Sequence, residues 1–80
     1  MKTEIDNIND AFKQNKSGKF KDGLGNIFYL YNGISHGEDG PSDIWIDGYE
    51  EYYYYGIKPK NINQFYDLTW RRKIEIKKFL

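Results

Sequence analysis

Apolar and polar residues alternate through the middle of the chain, and glycines and Asp-Gly pairs divide this alternation into short runs. Because successive side chains of a strand point to opposite faces of a sheet, the pattern predicts antiparallel β-hairpins. Tight turns are expected at Asp22-Gly23 and Asp47-Gly48, since glycine accepts a positive φ and aspartate hydrogen-bonds to nearby backbone. We predict four strands, over residues 19–21, 26–32, 42–46 and 50–55.

The two ends of the chain show helical periodicity instead. Apolar residues three or four positions apart predict an amphipathic helix over residues 3–15. Near the other end, Asn61 is a suitable N-cap for a helix with Phe65 on its apolar face. Residues 74–76 fit either a continuation of this helix or a strand.

These elements predict one small α+β domain. Residues 1–16 hold the N-terminal helix, residues 17–57 a β-meander of hairpins with about four strands, and residues 58–80 a C-terminal helical segment. A chain of 80 residues buries only about 60% of the surface that its unfolded form exposes, so the core is expected to be small.

The hairpin region contains an internal repeat with a period of 23 residues. Each unit reads as a glycine, a strand with alternating aromatic residues, a second glycine and a polar loop. The identical pairs are Gly25 and Gly48, Tyr29 and Tyr52, Tyr31 and Tyr54, Gly33 and Gly56, and Ile34 and Ile57.

The unit resembles the MORN-like variant repeats of short bacteriophage proteins, which run Trp-Tyr-x-Asn-Gly-Lys-x-His-Arg-x-Asp-Gly-Pro-Ala and end in a short strand and Asp-Gly. The matching positions are Asn32-Gly33, His36, Asp39-Gly40-Pro41 and Asp47-Gly48. Leu30 departs from the expected tyrosine, and the second unit lacks the histidine and the Asp-Gly-Pro. The resemblance implies a hairpin architecture and a phage source. It lends no general activity, although relatives include antitoxins and proteins with protein or membrane contacts.

Cysteine content and hydropathy bear on location. The chain has no cysteine, which excludes disulfides and thiolate zinc sites and fits a reducing cytoplasm. No apolar run approaches the roughly 20 residues that span a bilayer, and the first residues do not resemble a signal peptide. We therefore expect a cytoplasmic protein, in the host cell if the source is a phage.

Charge is balanced overall but unevenly distributed. The formal net charge is +0, which gives no general reason to expect nucleic-acid binding. Residues 36–56 carry six carboxylates and no lysine or arginine, whereas residues 57–80 are basic. This asymmetry fits either solvated faces of one fold or an acidic surface for a basic partner.

His36 is the only histidine, so any histidine-based catalysis would pair it with Glu38 or Asp39. The same residues with Asp43 could form a calcium site, but no EF-hand spacing is present. In the resembled repeat a histidine is common here, and we expect His36 to bond backbone and fix its loop. We therefore predict no enzyme, no metal and no cofactor.

Tyrosines are the stronger functional signal. Tyr29 and Tyr31 fall on the same predicted face as Tyr52 and Tyr54, and such a face is typical of protein-binding surfaces. The predicted partner-binding residues are Tyr29, Tyr31, Glu38, Asp39, Glu50, Tyr52 and Tyr54. Ordinary cross-strand tyrosine ladders would also explain the pattern.

The favoured hypothesis is a phage-type module that binds the basic surface of a host protein, such as a defence component, and inhibits it. An antitoxin is one alternative. Another is a nucleic-acid-binding protein that uses basic residues of the C-terminal segment: Lys58, Lys60, Arg71, Arg72 and Lys73. A homodimer could also form if residues 50–55 pair as an edge strand with a second copy.

Overall fold

The fold combines an antiparallel sheet with C-terminal helices, in agreement with the predicted α+β class. The computed structural model of the chain describes residue 11 and residues 13–79. The predicted N-terminal helix falls almost wholly outside the described residues. The strands are β1 (Gly18–Lys21), β2 (Ile27–Tyr31), β3 (Ile34–Ser35), β4 (Asp43–Ile44) and β5 (Glu50–Glu51), and the helices are α1 (Ile62–Phe65) and α2 (Leu68–Phe79).

Strand β2 is the centre of the sheet. It pairs antiparallel with β1 on one edge, and on the other edge it pairs with both β3 and β4. Strand β5 extends the sheet beyond β4, which gives the order β1-β2-β4-β5. Strands β3 and β4 therefore lie end to end along one edge of β2, and the chain leaves the sheet between them as a loop.

Both ends of this loop are bound to one residue of β2. The backbone N–H of His36 donates to the carbonyl oxygen of Tyr29 at 3.0 Å, and the N–H of Tyr29 donates to the carbonyl oxygen of Ser42 at 2.7 Å. We call residues 36–41 the acidic loop, because Glu38 and Asp39 lie at its tip. Its two ends are closed by the regular hydrogen-bond ladder of the sheet.

The repeat of 23 residues is visible in the backbone. Gly25 and Gly48 have φ angles of 96° and 94°. The hairpin turns repeat as well, since φ is 48° at Asn32 and 47° at its equivalent Tyr55. The pair that closes the first turn, Tyr31 and Ile34, recurs as a bridge between Tyr54 and Ile57.

The predicted turns are present, with a difference in detail. Asp22 Oδ1 accepts from the N–H groups of Leu24 and Asn26, both at 2.9 Å. Asp47 Oδ1 accepts from the N–H of Tyr49 at 3.0 Å. The hydrogen bonds to Asp22 lower the pKa of this carboxyl, and the largest effect comes from the bond that the side-chain amide of Asn26 donates. In the first turn the positive φ lies at Gly25, because the turn is longer than a two-residue Asp-Gly turn.

The last predicted strand is much shorter than expected. Only Glu50–Glu51 pairs with β4, whereas residues 52 and 53 leave the ladder and Tyr54 makes only an isolated bridge. The predicted edge strand over residues 50–55 is therefore wrong beyond Glu51. The reason is tertiary: the rings of Tyr52, Tyr54 and Tyr55 pack against side chains of the C-terminal helices.

The C-terminal segment is two helices rather than one. Asn61 is the N-cap of α1 as predicted, because its side chain accepts from the N–H of Gln64. A break follows at Tyr66, and Asp67 Oδ1 then accepts from the N–H of Trp70 at 3.1 Å, which caps α2. Residues 74–76 are helical.

Among the residues that the structure describes, two clusters of mainly apolar side chains fill the interior. On one face of the sheet, Phe20, Phe28 and Leu30 pack with Ala11, and Trp45 meets Phe28 edge to face at 5.4 Å. The second cluster lies between residues 52–55 and the C-terminal helices, and we call it the aromatic cluster. Its central members are Tyr54, Phe65, Trp70 and Arg71.

Candidate functional site

The acidic loop borders a cleft of about 480 Å³ on the side of β2 that carries Tyr29. Tyr29, Pro41 and Ile44 supply apolar lining, and Lys19, Glu38 and Asp39 supply charged lining. Both acidic residues are exposed. The cleft therefore combines apolar side chains with two carboxylates and one lysine.

The backbone of the acidic loop is held from below by the C-terminal helices. Arg71 Nη2 donates to the carbonyl oxygen of Glu38 at 2.7 Å. The hydroxyl of Tyr66 donates to the carbonyl oxygen of Asp39 at 2.8 Å. Gly37 donates its N–H to Tyr53, and a Cβ at this glycine would lie 2.2 Å from the carbonyl oxygen of Gly40. The loop is thus fixed through its main chain, and the residues Glu38 and Asp39 are exposed.

His36 fastens the loop to the second repeat. Its Nδ1 accepts from the N–H of Tyr55 at 2.8 Å, so Nε2 carries the proton and lies 2.7 Å from the Glu38 carboxylate. The imidazole stacks on the Tyr55 ring with 3.9 Å between centroids. As expected from the sequence, His36 bonds backbone and fixes the loop.

Arg71 is the residue whose role the sequence did not reveal. It is only 9% exposed, and its Nε donates to the carbonyl oxygen of Phe65 at 2.7 Å. The guanidinium also lies over the rings of Tyr54 and Phe65, at 4.5 and 4.7 Å from their centroids. Because its donors are engaged inside the fold, Arg71 is not available to phosphates, and its place in the nucleic-acid alternative is corrected.

The predicted binding residues divide into two groups. Tyr29, Glu38 and Asp39 meet at the cleft. Glu50 is exposed on β5, outside the lining of this cleft. The remaining members, Tyr31, Tyr52 and Tyr54, contact residues of the C-terminal helices or the aromatic cluster.

The expected uncovered tyrosine face is therefore wrong at Tyr54. This residue is 2% exposed, and its hydroxyl donates to the Glu75 carboxylate on α2. Burial first, and then this bond, raise the pKa of the Tyr54 phenol strongly. Tyr52 meets Phe65 edge to face at 5.0 Å. The helices cover these rings because the burial of large aromatic side chains contributes strongly to the stability of a small chain.

Asp43 lies within the sheet rather than at the cleft. It is 8% exposed, and the hydroxyl of Ser42 donates to its Oδ1 at 2.9 Å. Burial raises the pKa of this carboxyl, and the charge of Glu51, its partner across the β4–β5 pair, acts in the same direction. Within the described residues, no group of three or more His, Cys, Asp or Glu side chains could hold a metal ion.

Searches with protein-family models, curated proteins and solved structures found no match to this chain. The resemblance to MORN-like repeats therefore stays a prediction. Over the part of the chain that the structure covers, no helix has both the length and the apolar character required to cross a membrane.

Proposed function

We propose that this protein is a protein-binding module that uses the cleft and acidic loop to bind a basic surface of another protein and inhibit it. One observation supports this most directly: two exposed carboxylates sit on a loop whose backbone is tied to buried and aromatic side chains. The resemblance to phage proteins extends the proposal to a host protein, such as a defence enzyme, met in the host cytoplasm.

A rigid loop favours binding because little conformational entropy is lost on association. Ordering a flexible side chain or loop at an interface costs about 0.5–1.5 kcal/mol for each immobilised side chain. Here Arg71 and Tyr66 have already fixed the backbone of the loop tip. The energy of contact with a partner is then available for affinity.

The cleft suits a lysine or arginine side chain of the partner. The apolar stem of such a side chain would lie along Tyr29, Pro41 and Ile44, and its charged end would reach Asp39, since the Glu38 carboxylate already contacts His36. Exposed carboxylates of this kind speed association with a basic surface and make binding sensitive to salt.

The test is affinity capture from a bacterial lysate with the tagged protein and two charge-reversal variants. Asp39→Lys changes an exposed side chain of the acidic loop, and Glu50→Lys is the matched control outside the cleft. Tyr54 is unsuitable for this purpose because its replacement would disturb the core. Bound proteins are identified by mass spectrometry, and the purified target is assayed for inhibition.

We expect one dominant protein that the parent and the Glu50 variant capture and the Asp39 variant loses. Its activity should fall when the parent protein is added, and its affinity should weaken as salt rises. A target held equally by all three proteins, or bound without loss of its activity, would contradict the proposal.

A further inference from the structure

A second concave surface lies against α2, away from the acidic loop. This groove has a volume of about 470 Å³. Its lining includes the aromatic rings of Tyr55 and Trp70, the aliphatic Ile74, and the three lysines Lys73, Lys77 and Lys78. We call it the basic groove.

The lysines of the basic groove are not neutralised within the described part of the fold. No ion pair between described residues involves Lys73, Lys77 or Lys78. The one acidic residue of α2, Glu75, accepts from the Tyr54 hydroxyl. Lys58 differs, since it lies 3.4 Å from Glu51. The groove therefore carries a local positive charge in a chain whose formal net charge is +0.

The arrangement of these side chains suits a polyanion with aromatic units. Lys73 and Lys77 are one helical turn apart, so their Cα atoms are separated by about 6 Å along the axis. The helix dipole accounts for lysines in the last turn, Lys77 and Lys78, but not for Lys73 in the middle of α2. Half-buried Tyr55 and Trp70 add ring surface beside the charges.

We propose that the basic groove binds single-stranded nucleic acid. The lysines contact successive phosphates, and a base packs against the exposed part of Trp70, as in sequence-tolerant sites that combine a basic groove with aromatic rings. This site shares Lys73 with the set predicted from the sequence, in which Arg71 is buried and Lys58 is paired. It is independent of the cleft and of the function proposed there.

The test uses fluorescence anisotropy with a labelled oligothymidine of about 12 nucleotides, the same length of duplex, and free thymidine monophosphate as competitor. Three phosphate contacts give a slope of about −2 for the logarithm of the association constant against the logarithm of salt, at about −0.7 for each contact. The variant Lys73→Gln, Lys77→Gln should reduce this slope to about −0.7. The matched control, Lys13→Gln, Lys16→Gln, should leave it unchanged.

A second readout locates the base. The chain has two tryptophans, and Trp45→Phe leaves Trp70 as the sole tryptophan, which can be excited selectively. Oligothymidine should quench Trp70 fluorescence in this variant, whereas an oligoglutamate of equal charge should not. The proposal is overturned if the single strand does not bind at low salt, if duplex binds equally, or if both lysine variants lose affinity alike. Equal quenching by free nucleotide at equal concentration would overturn it in favour of a nucleotide site.

Discussion

Replacement of Arg71 by methionine should destabilise the fold far more than the same change at Arg72. Methionine keeps much of the volume and its contact with aromatic rings, but it leaves the buried carbonyl oxygen of Phe65 and the partly buried carbonyl oxygen of Glu38 without their donor. An unsatisfied buried acceptor costs about 1–3 kcal/mol. The lost cation–π contacts with Tyr54 and Phe65 add about 0.5–2 kcal/mol.

Removal of the buried cation stabilises the variant in part, because the parent protein loses several kcal/mol to the desolvation of this charge. We therefore expect a net loss of about 2–4 kcal/mol in the free energy of unfolding. For a chain of 80 residues the total is about 4–12 kcal/mol, so the loss is a large fraction of the whole. The stability of Arg71→Lys should fall between that of the parent and that of Arg71→Met, because one ammonium group cannot donate in two directions as the forked guanidinium does.

Urea titration followed by circular dichroism measures this loss, with the slope against denaturant compared between variants. Arg72 is the matched control, since it is the next residue of α2 and is exposed. Its change to methionine should stay within about 0.5 kcal/mol of the parent. If the two variants differ from each other by less than that amount, Arg71 does not hold the loop and the helices together.

Three further predictions concern single sites. Gly56→Ala should destabilise the fold more than Gly48→Ala, by about 1–3 kcal/mol. Both glycines have a positive φ, but only a Cβ at Gly56 would lie close to another side chain, 2.5 Å from Ile34. Equal melting curves for the two variants would contradict this. His36→Phe keeps a ring for stacking but removes the acceptor of the Tyr55 N–H, so the free energy of unfolding should fall by about 1–3 kcal/mol in urea titration. A negligible change would show that solvent replaces this bond. Burial raises the pKa of Asp43, so the folded state binds more protons and this carboxyl destabilises the fold increasingly as pH rises above the unfolded value. Asp43→Asn should therefore gain stability relative to the parent between pH 3 and pH 7 in paired urea titrations, and a constant difference would refute the assignment.

Local features of this fold were predictable, and those set by packing were not. The Asp-Gly turns, the Asn61 cap and the repeat follow from residues close together in the chain, and each is present. The end of the fourth strand depends on Tyr54 meeting α2, a contact between residues far apart in sequence. Alternation alone assigns this tyrosine to a sheet face and says nothing of what covers that face.

The sequence predicts only part of the candidate site. Glu38 and Asp39 were identified from the acidic run, and they do lie together at the cleft. The sequence places Arg71 among the exposed bases of the nucleic-acid alternative, because most arginines of globular proteins are exposed. The sequence holds a weak signal that Arg71 is buried. Trp70 and Ile74 mark the inward side of α2, and Arg71 and Glu75 are the residues that come directly after them.

The way Tyr29 holds both ends of the acidic loop has a consequence for how such a protein can diversify. Its N–H and carbonyl oxygen bond to residues on either side of the loop, so the two ends stay a fixed distance apart. Arg71 and Tyr66 hold the loop tip through backbone carbonyl oxygens, so these bonds do not depend on which side chains stand at positions 38 and 39. The charge of the loop could therefore be changed at these two positions, by evolution or by grafting, while its backbone and the surrounding sheet stay the same.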